Sequence, residues 1–181
     1  MWNPSIGNAM LNILLARDHS IIRILMNPRG RIWLLLGACI SLTIGVLHVV
    51  IVFIGPPAYS FFGGARLAQL AAAGSSSPAV MTLLLALVHT VFGIYGLSGA
   101  GLIRRLPLLP FVLLIIGGLY AFRGLSIVNQ SLQILADPGS FPLRVLFYSL
   151  VSLVTGCAYI VGTVKDLGWL QDPEDPNKFS A

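Results

Sequence analysis

Hydrophobic residues run along this chain in long blocks, not in alternation. A helix needs about 20 apolar residues to cross the hydrocarbon core of a bilayer. Four segments meet that length: 33–55, 78–103, 106–128 and 143–164. The first carries no charge, and Pro56-Pro57 ends it because proline cannot donate to the helical ladder. The second is also uncharged and opens on Pro78, which suits a first helical turn. The third is apolar over 106–122, meets Arg123 and continues to 128. Asp137-Pro138-Gly139 marks a turn, and Ser140 with Pro142 gives a start for the fourth. The pattern predicts an all-α integral membrane protein, a bundle of four transmembrane helices over 32–165.

Three other segments are not spans. Over 6–26, Ile6, Met10, Ile13, Leu14, Ile21, Ile24 and Leu25 recur at helical spacing, with Asn8, Asn12, Asp18 and Arg23 largely elsewhere. Residues 1–31 therefore read as an N-terminal amphipathic interfacial helix, lying on the membrane or docked on a partner subunit. Residues 64–73 predict a short helix before the Gly74-Ser75-Ser76-Ser77 loop. The acidic, proline-containing tail over 166–181 reads as solvated. The first apolar block begins only after about thirty residues and has no small-residue cleavage site behind it, so it reads as a span and not a secretory signal.

Composition agrees with this picture. Charged residues make up 9% of the 181 and hydrophobic ones 56%, against roughly 25% charged in soluble domains. A soluble surface cannot be covered with so few polar groups, which leaves lipid as the solvent. The net charge of +5 is distributed by position. With the N-terminus inside, Arg17, Arg23, Arg29, Arg31, Arg104, Arg105, Lys165 and Lys178 fall on the cytoplasmic side, and Arg66, Arg123 and Arg144 on the other. The positive-inside rule then puts both termini in the cytoplasm, with Trp33 and Trp169 at that interface. No basic block is interleaved with aromatics, which argues against nucleic acid as a partner. Cys39 and Cys157 fall inside spans, with no metal-like spacing and no disulfide expected.

Lipid tails are as apolar as leucine, so membrane helices associate through close contact of small residues and through interhelical hydrogen bonds. Gly37, Ser41 and Gly45 supply such a stripe in the first span, and Ala86, Thr90, Gly96 and Ala100 in the second. Gly117 and Ala121 follow in the third, and Ser152, Gly156, Ala158 and Gly162 in the fourth. These stripes fit packing within one bundle or between subunits. The short link at Arg104-Arg105 predicts that the second and third spans are antiparallel neighbours.

Ionisable residues inside spans are costly and are candidates for function. Here they are His48, His89 and Arg123, with Tyr95 and Tyr120 as polar neighbours. Seven residues along a helix return to within about 20° of the same face. His48 is seven beyond Ser41, and His89 is seven before Gly96, so both should turn toward the bundle interior. At 1.5 Å per residue, His48 lies roughly 10 Å from the outer end of its span, His89 roughly 16 Å and Arg123 roughly 8 Å or less.

His48, His89, Arg123 and Tyr120 are thus the candidate cofactor-binding set. The histidines could be axial ligands of a b-type haem, with Arg123 on a propionate, or hydrogen-bonding partners of a quinone. The bland reading is an accessory or scaffold subunit of a larger or homo-oligomeric assembly, without catalysis of its own. A small oligomeric channel or transporter is a third, although no Asp or Glu lies in a span and no charged ring is visible. Ser41, Ser98 and Ser152 have no base-and-orienter constellation around them.

The run Tyr95-Gly96-Leu97-Ser98-Gly99-Ala100-Gly101-Leu102-Ile103-Arg104-Arg105-Leu106-Pro107-Leu108-Leu109, and again Phe122-Arg123-Gly124-Leu125, resembles a group of small four-span bacterial inner-membrane proteins. The resemblance covers approximately the first span through the third. It implies a bacterial inner membrane and the four-span fold, but no activity and no site residues. A looser similarity of layout links the chain to DoxX-like four-helix proteins, some of which are redox-associated subunits.

Overall fold

The computed structural model describes residues 28–170 except 138, 140 and 141, with backbone alone at 28–29 and 166–170. The expected amphipathic N-terminal helix, Ser140 and the tail from 171 onward lie outside the described residues. Among the described residues seven helices follow in order: α1 (Pro28–Ile54), α2 (Pro56–Phe61), α3 (Ala65–Ala72), α4 (Ser77–Gly99), α5 (Leu109–Gly124), α6 (Ser126–Ala136) and α7 (Leu143–Leu170). Four stretches of the described residues are long and apolar enough to cross a membrane: Gly30–Ile54, Ser77–Gly99, Leu109–Ala136 and Leu143–Lys165. The chain is an all-α, multi-pass membrane protein.

Several boundaries differ from the hydrophobic pattern, each for a local reason. α4 stops at Gly99, short of 103, because Gly101 takes φ 73°, a left-handed conformation that glycine adopts freely. Gly101 N–H then donates to Ser98 O at 3.1 Å and Leu102 N–H to Leu97 O at 3.0 Å, satisfying the last carbonyls. The Ser98 hydroxyl donates to Arg104 O and accepts from Leu106 N–H, each at 3.0 Å, which pins the connection in place. Leu106 and Pro107 therefore belong to the link, and α5 begins at Leu109 with a proline in its first turn.

The third span also runs on past 128. Leu125 keeps helical angles, φ −60° and ψ −18°, so α5 passes into α6 with no real turn and the span ends at Ala136. Pro56-Pro57 ends α1 as expected, and the same prolines open α2, because their fixed φ suits a first turn.

α1 packs against α4 on one side and α7 on the other, and α7 packs against α5; α4 and α5, though directly joined, pack more loosely. The close contacts explain why. A β-carbon on Gly156 would lie 2.5 Å from Ala121 N and 2.8 Å from Gly117 O, and one on Gly162 would lie 2.7 Å from Leu34 Cγ. One on Gly45 would lie 3.0 Å from Thr90 Oγ1. The small-residue stripes are thus filled within this one bundle.

α2 and α3 cap one end. Tyr59, Ala58 and Ala68 pack there on Ile51 of α1, and Phe62 reaches Tyr148 of α7 with ring centroids 5.8 Å apart. Arg144 lies over the Phe61 ring at 5.1 Å, a cation–π contact. At the opposite end Lys165 sits 5.6 Å from the Trp33 ring centre.

Gly156→Ala is expected to force α5 from α7 and to cost about 1–3 kcal/mol, read as a lowered Tm in detergent. Gly118→Ala, whose β-carbon would meet nothing within 4 Å, is the matched control and should leave Tm unchanged. Equal melting of the two variants would contradict the packing described.

Candidate functional site

The bundle interior holds one connected polar layer. Tyr159 of α7 is fully buried, and it fits because Gly37 of α1 and Gly96 of α4 leave it a slot. A β-carbon on either glycine would approach its ring to 3.0 Å. Its hydroxyl donates to the Phe92 carbonyl of α4 at 2.9 Å. A hydroxyl has one proton to give, so Tyr159 accepts from Ser41 Oγ of α1 at 3.0 Å. Ser41 in turn accepts from the Tyr120 hydroxyl of α5 at 3.1 Å. The chain runs in one direction, from Tyr120 through Ser41 and Tyr159 to Phe92 O, and touches all four spanning helices.

His48 and His89 meet beside this layer. Their rings stack with centroids 5.0 Å apart and an interplanar angle of 19°. The depths read from the sequence differ by about 6 Å, at 1.5 Å per residue. Side-chain direction closes that difference. Helical side chains lean toward their own N-terminus, and α1 and α4 run antiparallel. Each ring bends back one turn, His48 Nδ1 to Ile44 O and His89 Nδ1 to Leu85 O, both at 2.7 Å. The two leans point toward each other and bring the rings level.

The same bonds fix the tautomer. A carbonyl only accepts, so Nδ1 carries a proton, and in the neutral form of either ring Nε2 carries a lone pair. Tyr120 lies 5.9 Å and Phe92 6.0 Å from the His89 ring, so Tyr120 belongs to both the histidine cluster and the hydroxyl chain. Both histidines are half-buried.

Three of the four candidate residues therefore come together, and the fourth does not. Arg123 is exposed and turns toward α7. Its Nη1 donates to Ser149 Oγ at 3.4 Å, and Ser149 donates to Gln130 Oε1 of α6 at 2.8 Å. Arg123 thus braces the junction of α5, α6 and α7. Tyr95 packs against the core around Leu34.

The histidine geometry does not fit a haem held between the two rings. Paired axial ligands approach an iron from opposite sides with the macrocycle between them. Here the imidazoles lie face to face with 5.0 Å between centroids, which leaves no room for it. Among the described residues no group of three or more His, Cys, Asp or Glu could hold a metal ion.

Tyr159, Ser149 and Gln130 did not stand out in the sequence. For Tyr159 the signal was there: one tyrosine set among Gly156, Ala158 and Gly162 is a large polar ring on a face otherwise cleared for contact. Tyr59 is the opposite case, with a buried hydroxyl that has no hydrogen-bond partner among the described residues. No protein family, curated protein or solved structure matches the chain.

Tyr159→Phe breaks the hydroxyl chain and should cost about 0.5–1.5 kcal/mol. Ser41→Ala should cost a similar amount, with the double variant much less than additive because both changes remove shared bonds. Tyr59→Phe, which deletes an unpaired hydroxyl, should be neutral or stabilising. Thermal unfolding of the four proteins in one detergent checks the set, and full additivity at 41 and 159 would contradict the chain.

Proposed function

We propose that this protein is an accessory or assembly subunit of a bacterial inner membrane, without catalysis of its own, that docks another membrane helix along α5. The observation that carries the reading is Gly118. The other glycines of the spans, from Gly37 to Gly162, each meet a neighbouring helix, whereas a β-carbon on Gly118 would meet nothing within 4 Å. It sits in a stripe of large apolar side chains, with Phe111 64% exposed, Ile115 47%, Phe122 80% and Leu125 58%. Their spacing of three and four residues is that of a helix-docking seam, and a glycine in mid-seam allows close backbone approach. The interior supports the same reading, since its polar groups are largely engaged in holding the four spans to one another.

The basic residues support an orientation with both ends in the cytoplasm. Arg31, Arg104, Arg105 and Lys165 lie at one end of the bundle, and Arg66 and Arg144 at the capped end. The first group then faces inside, and the α2–α3 cap faces outside. The resemblance to small four-span inner-membrane proteins supports a bacterial inner membrane as the location.

The test is native mass measurement after gentle extraction, on the unaltered chain and on Gly118→Leu. The unaltered protein is expected in an assembly heavier than one bundle, and Gly118→Leu is expected to shift it to the single-bundle mass while Tm holds. A single-bundle mass for both proteins would overturn the reading.

A further inference from the structure

The histidine pair presents a chemistry that the docking role does not use. Each Nδ1 is committed to its backbone carbonyl at 2.7 Å. Neither Nε2 has a hydrogen-bond partner among the described residues. In the neutral rings the two nitrogens therefore offer acceptors and no donor, on imidazoles stacked with centroids 5.0 Å apart.

The surroundings narrow the ligand. Val50, Leu85 and Val88, next to the histidines along α1 and α4, are exposed, so the approach to the site is apolar. An unmet acceptor in such surroundings is costly, because no bulk water is present to satisfy it. The wall of the site is flat rings: His48 on His89 at 5.0 Å, with Phe92 and Tyr120 set at 57° and 66° to the His89 plane. A ligand that fits must dissolve in lipid, carry a hydrogen-bond donor and have a face that stacks, which an aromatic hydroxyl does.

We propose that the His48–His89 pair binds a lipid-soluble aromatic hydroxyl donor of the hydroquinone class, and that it takes the reduced form in preference to the quinone. A hydroquinone hydroxyl donates to Nε2. A quinone carbonyl brings a second acceptor to the same lone pair and is repelled. The selectivity follows from the tautomer, which the backbone carbonyls of Ile44 and Leu85 impose. Binding alone is proposed, with no electron transfer, and it is independent of the seam on α5.

The full chain in detergent micelles, labelled with 15N-histidine, is titrated anaerobically with duroquinol, with duroquinone and with the dimethyl ether of duroquinol, which has the ring but no donor. Duroquinol is expected to move both Nε2 resonances and to bind about tenfold or more tightly than either other probe, the worth of one good hydrogen bond. His48→Leu and His89→Leu should each weaken duroquinol by about the same factor, while Tyr59→Phe binds normally. Equal affinity for the three probes would overturn the proposal, as would Nε2 resonances unmoved at saturating duroquinol. The resonance measurement needs only the unaltered protein, so it decides the matter even where a leucine variant fails to fold.

Discussion

One chain of hydrogen bonds holds this bundle to a single arrangement. Water drives soluble helices together, but in a bilayer that force is absent and association rests on fit and on polar contacts. Tyr120, Ser41, Tyr159 and the Phe92 carbonyl form three successive bonds that link α5, α1, α7 and α4. Each bond is modest by itself. Their value lies in specificity, because a rotated or shifted helix would leave a hydroxyl unpaired among apolar side chains. The glycines are the condition for this chain, since Tyr159 reaches Ser41 and Phe92 only through the slot between Gly37 and Gly96.

The rest of the packing follows from where backbones can approach. α1 meets α4 and α7, and α7 meets α5, at glycines whose missing side chains admit the neighbour. α4 and α5 are held apart by larger groups. Phe92 and Tyr120 meet edge to face between them at 5.9 Å, and the His89 ring lies beside both. The histidine pair bridges the closely packed α1 and α4 and borders the looser α4–α5 side, where Tyr120 is held by the hydroxyl chain.

Much of the fold was legible in the sequence, because apolar block length and proline placement are strong local signals. The four spans and the short helix at α3 could be read from spacing, whereas the histidines, expected in the interior, are only half-buried. The misplaced ends have particular causes. The glycine at 101 stops a helix in sequence that is still hydrophobic, and Leu125 lets a helix continue into residues as polar as Asn129 and Gln130. Hydropathy registers neither. The site was half legible. His48 and His89 could be named, but their meeting depends on the opposed lean of two antiparallel helices, which residue counting omits. Arg123 was grouped with them as an ionisable residue inside a span, and its partner on α7 could not be read from the α5 sequence.

The stacked imidazoles have a consequence for any motion of the bundle. His48 and His89 sit on different helices and lean in opposite senses, so their overlap works as a vernier between α1 and α4. Sliding one helix by a single residue displaces one ring by about 1.5 Å relative to the other, a large part of a ring's width. A partner that pushed on the α2–α3 cap would move α1 through Ile51, where the cap's core rests. Mechanical load at one end of the protein would thus be converted, midway along the helices, into a change in how two rings overlap.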